Sequence, residues 1–389
     1  MALRIMTIYG TRPEAIKVAP IIKAIEADPD LENIIVSTGQ HREMLDQVNA
    51  IFNIKPDHDL TIMSAGQTLN GIVAKVVTGV DEILADEAPD VVLVQGDTST
   101  VMGAAVAAFN RQVPVIHLEA GLRSRDINSP FPEEANRKLT SQVTGLHLAP
   151  TETSKANLTR EDVPEADVVV TGNSVIDALM YVTESLEVSF DEERLETLQR
   201  ARTAGTAGRV LLVTAHRREN LGTTMESIGA AVAELAQKYL ELTIVFPIHR
   251  NPRVREAILP AVENLENVLL AEPLTYAEFT RVLSLADLVL TDSGGVQEEA
   301  PSLGKPVLVM RENTERPEAV VAGTVKLIGT DQSRMVDEVS ILLDSPEAYA
   351  GMANAVNPYG DGNAASRAVA AIKWKFLAQV DRPEDFVAE

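Results

Sequence analysis

The sequence predicts an α/β protein built from two doubly wound domains, each a parallel sheet covered by helices on both faces. Three observations carry the prediction. Short apolar runs, often β-branched, alternate with segments whose apolar residues recur three and four apart. The alternation pauses once, after Gly172, and then resumes. At 389 residues the chain also exceeds the roughly 250–300 residues at which a single core stops growing.

The strand-like runs of the first half are RIMTIYG, NIIVSTG, DVVLVQGD, PVIHLEA, LHLAPT and ADVVVTG. Between them PEAIKVAPIIKAIEAD, REMLDQVNAIF, LNGIVAKVVTGVDEILAD and TVMGAAVAAFN have helical spacing. The pause, SLEVSFDEERLETLQRARTAGTAGR, reads as a charged helix followed by a Gly/Thr loop. Strands then resume with RVLLVTA, LTIVFPI, NVLLAEP, DLVLTDS, KPVLVM and TVKLIG. We therefore expect domains of residues 1–172 and 173–363. A last helix, from about Ala364 to Val380, has no strand to feed, so residues 364–389 are expected to pack back on the first domain. No repeat of fixed period and no low-complexity segment interrupts this plan.

Composition narrows the chemistry. Hydrophobic residues make up 45%, enough for two cores. Cysteine is absent, which excludes disulfides, thiol nucleophiles and cysteine-bound metals. No His/Asp/Glu group has metal-ligand spacing such as H-E-x-x-H, so no metal is expected. MALRIMTIYG runs straight into a strand, and no later stretch approaches roughly 18 uninterrupted apolar residues; the expectation is a cytoplasmic protein without a membrane partner. Lys and Arg number 34 against 57 Asp and Glu, a formal charge of −23, which opposes nucleic-acid binding. An anionic ligand would need a local cluster of bases.

Ligands of open parallel sheets bind beyond the carboxyl ends of the strands. Those ends carry Gly10, Thr11 and Arg12; Gly39, Gln40 and His41; Gly96 and Asp97; His117 and Glu119; His216, Arg217 and Arg218; His249 and Arg250; and Ser293, Gly294 and Gly295. The simplest arrangement is a cleft between two sheets whose carboxyl edges face each other. YGTRPEAIK gives a tight turn with Pro13 at the first helical position and Arg12 and Lys17 in reach of such a cleft. It lacks G-x-G-x-x-G, so no dinucleotide fingerprint is present. In TDSGGVQEEA, Ser293 is placed to cap a helix. Two glycines would let the backbone approach an anion, and the helix start would favour a phosphate by about 0.3–2 kcal/mol. Glu299 is placed to accept from ribose hydroxyls. TAHRREN supplies the local bases, and RENTERPE adds Arg311 and Arg316.

Three carboxylates remain. Asp97 could simply cap the helix after it, and Glu133 or Glu134 could simply favour a helix N-terminus after Pro132. Glu119 resists such a reading: a charge at the end of VPVI, ahead of a Gly121 turn, is expensive unless paired or used. Arg123, Arg125 and Arg137 are the expected partners.

Taken together, GTRPEAIKVAP, GQHREML, VQGDTST, HLEAGLRS with PFPEEANR, TAHRREN, DSGGVQEEAPSLGKPVLVMRENTERPE and NPYGDGNAA resemble the non-hydrolysing UDP-N-acetylglucosamine 2-epimerases, in order and over nearly the whole chain. The resemblance implies two Rossmann-like domains facing across a cleft, of the GT-B type. It implies a homodimer without cofactor that interconverts UDP-GlcNAc and UDP-ManNAc for cell-surface polysaccharide synthesis. Carried over motif by motif, Asp97, Glu119 and Glu133 would be acid/base carboxylates and His216 would sit at the diphosphate. Arg12, Lys17, Arg217, Ser293, Gly294, Gly295, Glu299 and Arg316 would hold the substrate. In relatives activated by a second UDP-GlcNAc, the corresponding residues would include Gln40, His41, Arg217 and His249, but Gly66 stands here where those relatives carry arginine.

The chemistry agrees with the resemblance. The proton at sugar C2 is not beside a carbonyl, and no nicotinamide site exists to create one, so the remaining route is loss of UDP to a 2-acetamidoglucal and its return. That path needs two acid/base groups and a clamp on the leaving diphosphate. The rival expectations are a hydrolysing epimerase releasing ManNAc and UDP, a glycosyltransferase on the same fold, and a nucleotide-sugar sensor without turnover.

Overall fold

The computed structural model describes residues 2–39, 42–64, 66–217, 220–378 and 380–388, and the side chains of all of these except 42–44. The chain divides into two compact units, one formed by Met1–Ala178 with Tyr359–Ala388 and the other by Leu179–Pro358. Each contains one sheet, and every strand pairing is parallel.

In the first unit the strands are β1 (Leu3–Tyr9), β2 (Leu31–Ser37), β3 (His58–Asp59), β4 (Val91–Gln95), β5 (Val115–Leu118), β6 (Leu146–Ala149) and β7 (Val168–Val170), in the order β3-β2-β1-β4-β5-β6-β7. β3 was not expected from the sequence, because two residues carry no periodicity. The second unit has β8 (Val210–Thr214), β9 (Thr243–Pro247), β10 (Val268–Ala271), β11 (Leu288–Thr291), β12 (Val307–Val309) and β13 (Val325–Leu327), in the order β10-β9-β8-β11-β12-β13. Both sheets thus reverse direction beside their first strand, between β1 and β4 and between β8 and β11. Connections leave these switch points toward opposite faces, which opens a crevice at the strand ends.

The cores follow from the apolar runs. In the first unit Met6, Ile8, Val36, Val92 and Val94 of the sheet meet Val76, Val80, Ala104 and Ala108 of two covering helices, all buried. The helix Ser99–Asn110 is rich in alanine because it lies close against its neighbour: a Cβ on Gly103 would sit 3.0 Å from Val76 Cγ1. In the second unit Leu211, Val213, Ile244, Phe246, Leu288 and Leu290 form the corresponding layer. Each such aliphatic side chain contributes about 1.5–3 kcal/mol.

The C-terminal segment belongs to the first unit. Helix Ala364–Ile372 packs on helix Arg12–Glu26. Asn363, at its start, gives no side-chain cap, and Asp177 accepts from the Ala364 and Ala365 N–H groups at 3.2 and 2.8 Å instead. The tail then reaches β7: Phe386 N–H donates to the Val170 carbonyl at 2.8 Å and Val170 N–H to Asp385 at 2.9 Å. Phe386 closes over Ala149, Val168 and Val170.

One turn decides the path of the chain after β5. Gly121 has φ 94°, and a Cβ there would fall 2.2 Å from the Ser154 carbonyl oxygen. Both the left-handed backbone and the clearance require glycine. Gly121→Ala is therefore expected to destabilise the protein by about 3 kcal/mol or more, read from urea denaturation; a wild-type midpoint would show that the turn can move aside.

Candidate functional site

In the first unit, the switch point gathers the ends of β1, β4 and β5. Thr11 caps helix Arg12–Glu26, with Pro13 in its first turn. Glu14 completes the capping box, and its carboxylate does more than cap. Gly10 N–H and Thr11 N–H donate to one oxygen at 2.6 and 2.9 Å, and the Thr98 hydroxyl donates to the other at 2.5 Å. This buried residue therefore ties the β1 turn, with Arg12, to the β4 turn, with Asp97. In the sequence, T-x-x-E before an apolar run is the capping-box signature, but the reach to the β4 turn has no local sign.

Asp97 does not cap the helix that follows; Thr98 does, accepting from Val101 N–H. The Asp97 side chain is engaged by Arg137, whose Nη2 and Nε lie 2.7 and 2.9 Å from Oδ2. Asn136 donates to the Asp97 carbonyl at 2.9 Å. Arg137 also meets Glu134 at 3.1 Å. Glu134, fully buried, accepts from the Ser124 and Arg125 N–H groups as well, so it is the structural member of the EE pair. Glu133 opens helix Glu133–Val143 and is half-buried, and its carboxylate has no hydrogen bond among the described residues. Two cis peptide bonds, Ser129–Pro130 and Phe131–Pro132, precede it.

Glu119 follows β5 in the left-handed region, with φ 65°. For a residue with a side chain this costs on the order of 1–3 kcal/mol. Its carboxylate, 9% exposed, is ion-paired with Lys17. Gln95 donates to the other oxygen, and Asn173 Nδ2 lies 3.4 Å from the first. The expected arginine partners are elsewhere: Arg123 is held by Glu161 at 2.7 Å and Arg137 by Asp97. Lysine 17 reaches Glu119 because helix Arg12–Glu26 starts at the same switch point. Gln95 and Asn173 were not picked out from the sequence, where nothing local distinguishes them. His117, beneath, donates through Nε2 to the Gly96 carbonyl at 2.7 Å and so steadies the turn that presents Asp97.

In the second unit the ends of β8 and β11 meet in the same way. His216 and Arg217 follow β8, and Asp292 and Ser293 follow β11. Ser293 does not cap the next helix: Val296–Ser302 begins at Gly295 without a side-chain cap. Instead Ser293 N–H donates to Thr291 Oγ1 at 2.9 Å, and its carbonyl accepts from Gln297 Nε2 at 2.9 Å. Gly294 has no positive φ; it is small because the Arg316 guanidinium lies over it, 2.7 Å from where a Cβ would be. Arg316 is aimed there by Glu298, with Nε 2.6 Å from the carboxylate. Glu299 folds back toward Gly295, its Oε2 3.7 Å from the Cβ position of that glycine. Arg316, Glu299 and the glycine turn are thus brought together, with Glu298 as a support that the sequence did not reveal.

His216 is stacked with His249, ring centroids 6.3 Å apart. Buried Asp292 accepts from His216 N–H, Arg217 N–H and Asn220 Nδ2. Gln40, His41 and Arg218 lie outside the described residues. Among the described residues no group of three or more His, Asp or Glu could hold a metal ion, and no helix is long and apolar enough to cross a membrane.

Comparison with known proteins gives one answer. The family model for UDP-N-acetylglucosamine 2-epimerase matches residues 23–373. The chain is 49% identical over 371 residues to a UDP-N-acetylglucosamine 2-epimerase of Escherichia coli K12, covering 95% of this chain and 98% of that one. A crystal structure of the Neisseria meningitidis UDP-GlcNAc 2-epimerase bound to UDP-GlcNAc matches with TM-score 0.84 and 47% identity, over 94% of this chain and 98% of that one. The S. aureus MnaA–UDP structure matches with TM-score 0.86 and 44% identity, over 99% and 100%.

Burial sets two opposing pH dependences in the first unit. Desolvation pushes the Glu14 carboxyl up to about 7, against its three hydrogen bonds and with help from Asp97. Its stabilisation is complete below the ordinary carboxylate value and lost as pH rises through about 7, roughly 3 kcal/mol in all. Desolvation pushes His117 down to about 4 and His147 down to about 3, with Arg123 adding to both. Their contribution is present above the ordinary imidazole value and lost as pH falls through about 4 and then about 3. Glu14→Gln should therefore gain stability relative to the wild type as pH is raised from 5 toward 8 (about this range), and His147→Gln should lose less than the wild type on acidification. Urea denaturation across this series checks both, and curves parallel to the wild type would mean that these groups titrate as they do in water.

Proposed function

The chain belongs to the UDP-N-acetylglucosamine 2-epimerase family, and we propose that it interconverts UDP-GlcNAc and UDP-ManNAc by elimination and re-addition of UDP without releasing free sugar. Glu119 carries the reading. A near-buried carboxylate in a left-handed backbone, held by Lys17, Gln95 and Asn173, is costly to keep for binding alone and suited to moving a proton.

In the forward direction a carboxylate takes the C2 proton while the anomeric C–O bond breaks. The C–H electron pair becomes the C1–C2 double bond of 2-acetamidoglucal, and UDP leaves with the C–O pair. In return a proton is delivered to C2 from the other face and a β-phosphate oxygen attacks C1. Asp97, Glu119 and Glu133 share the proton transfers, Asp97 steadied by Arg137 and Glu133 uncommitted to other described residues. Lys17 serves Glu119 first, and Arg12 is assigned to the phosphates. The second unit is the UDP-binding domain: His216 and Arg217 at the diphosphate, the Ser293–Gly295 turn and Arg316 beside it, Glu299 at the ribose. Stabilising the departing diphosphate is the larger electrostatic task.

We also infer a homodimer, for which Phe109, Ile127 and Leu139, all more than half exposed on the first unit, offer an apolar face; a monomer mass in analytical ultracentrifugation would remove that reading.

Proton NMR of the protein with UDP-GlcNAc in D₂O is the direct test. Deuterium at C2 of both nucleotide sugars at equilibrium, with little free UDP, is the expected result, whereas ManNAc with stoichiometric UDP would move the assignment to a hydrolysing epimerase. Glu119→Gln should slow turnover by about 10²-fold or more with the fold retained by circular dichroism; near-normal turnover would take Glu119 out of the proton path.

A further inference from the structure

The carboxylate of Asp292 lies where β11 ends, without exposure to solvent, and the chain around His216 is built on it. His216 N–H approaches both oxygens at 3.2 and 3.0 Å, and Arg217 N–H and Asn220 Nδ2 reach Oδ2 at 2.9 and 3.0 Å. His216 Nδ1 lies 3.2 Å from Oδ1. The backbone of Asp292 is used too: its N–H donates to the Thr214 carbonyl, and its carbonyl accepts from Arg217 Nε at 3.0 Å. One residue therefore joins the two strand ends of the second switch point.

The His216 and Arg217 N–H groups and Asn220 Nδ2 donate to the carboxylate, which suits an anion. Burial alone would push the Asp292 carboxyl up, but the bonds and charge of His216 and the Arg217 N–H outweigh it and hold it below the usual carboxylate range. An ionised carboxylate only accepts, so hydrogen on the imidazole nitrogen 3.2 Å from it is favoured over a bare nitrogen there. In the neutral ring the other nitrogen, Nε2, is then the bare one. The ring is half-exposed: its side chain is 45% exposed, and His249 stacks on it with the planes 23° apart.

We propose that Asp292 is a positioning residue that fixes His216 in the Nδ1–H tautomer and leaves Nε2 as the atom presented to the departing diphosphate. The second half of this statement rests on the functional reading above; the first half does not. When His216 is protonated, the same contact keeps Nδ1–H on Asp292 and turns Nε2–H toward the phosphate oxygen, where it donates as negative charge builds. Asp292 itself keeps no proton and touches no substrate. It acts through the ring.

Long-range ¹H–¹⁵N correlation of protein labelled at its 6 histidines reads the tautomer directly, with His216 identified by its loss in His216→Asn. The expected result is Nδ1–H in the wild type and a mixture in Asp292→Asn; an Nε2–H tautomer in the wild type overturns the proposal. Kinetics add a second arm. His216→Asn should slow turnover on the order of 10²-fold, Asp292→Asn should slow it as well, and the double variant should be no slower than the slower single variant. Independent, multiplying losses would show that Asp292 supports the loop and does not act through His216. If Asp292→Asn fails to fold, the wild-type tautomer alone decides. A wild-type protein that holds Nδ1–H yet makes no UDP-ManNAc would keep the tautomer assignment and sink the functional reading instead.

Discussion

Matching carboxylates at the ends of buried strands with donors and cations is the constraint around which both halves of the molecule are arranged. An isolated charge there would cost several kcal/mol, so each is matched. Glu119 has Lys17, Gln95 and Asn173; Asp97 has Arg137; Asp292 has three N–H donors and an imidazole. The matching groups come from different strands and helices, and only the parallel order of the sheet brings them together. Glu134 shows the same economy: it neutralises part of Arg137 and holds the Ser124–Arg125 backbone, which shapes the loop ahead of Glu133.

The two switch points use one topology for different electrostatic ends. At the first, three carboxylates dominate and the bases serve them. At the second, Asp292 and Glu298 are buried supports while the His216 ring is half-exposed, Arg217 Nε is held by the Asp292 carbonyl and Arg316 arches over Gly294. In a chain of net charge −23, the acidic groups nearest these bases are thus already committed to holding them. The small residues Gly294 and Gly295 serve clearance here: neither is in the left-handed region, and a side chain at Gly294 would displace Arg316.

Much of this was legible in the sequence, and the remainder was hidden for identifiable reasons. The apolar runs gave every strand except β3, since burial on both faces leaves a continuous signal and two residues leave none. Strand order was hidden, because nothing in RIMTIYG tells that it pairs with both NIIVSTG and DVVLVQGD. The nearby arginines are therefore the partners of Glu119 that the sequence suggests, whereas helix Arg12–Glu26, remote in sequence, supplies Lys17. Local rules misplaced two caps: Asp97 and Ser293 have the right residue type, but Thr98 takes the first position and Gly295 the second. Asp292 gave no local sign at all, for its role depends on β8 and β11 being neighbours.

The tail that covers β7 also has a temporal consequence. A nascent chain is made at roughly 5–20 residues per second and its domains generally fold as units. The first unit, however, draws on residues from both sides of Leu179–Pro358. Until Ala364–Ile372 and Phe386 have emerged, helix Arg12–Glu26 lacks its neighbour and the Val170 edge stands open to other strands. The intervening unit, contiguous in sequence, can close first. Order of synthesis and order of completion are thus reversed, and the first unit stays open to wrong pairing until residues 364–388 have been made.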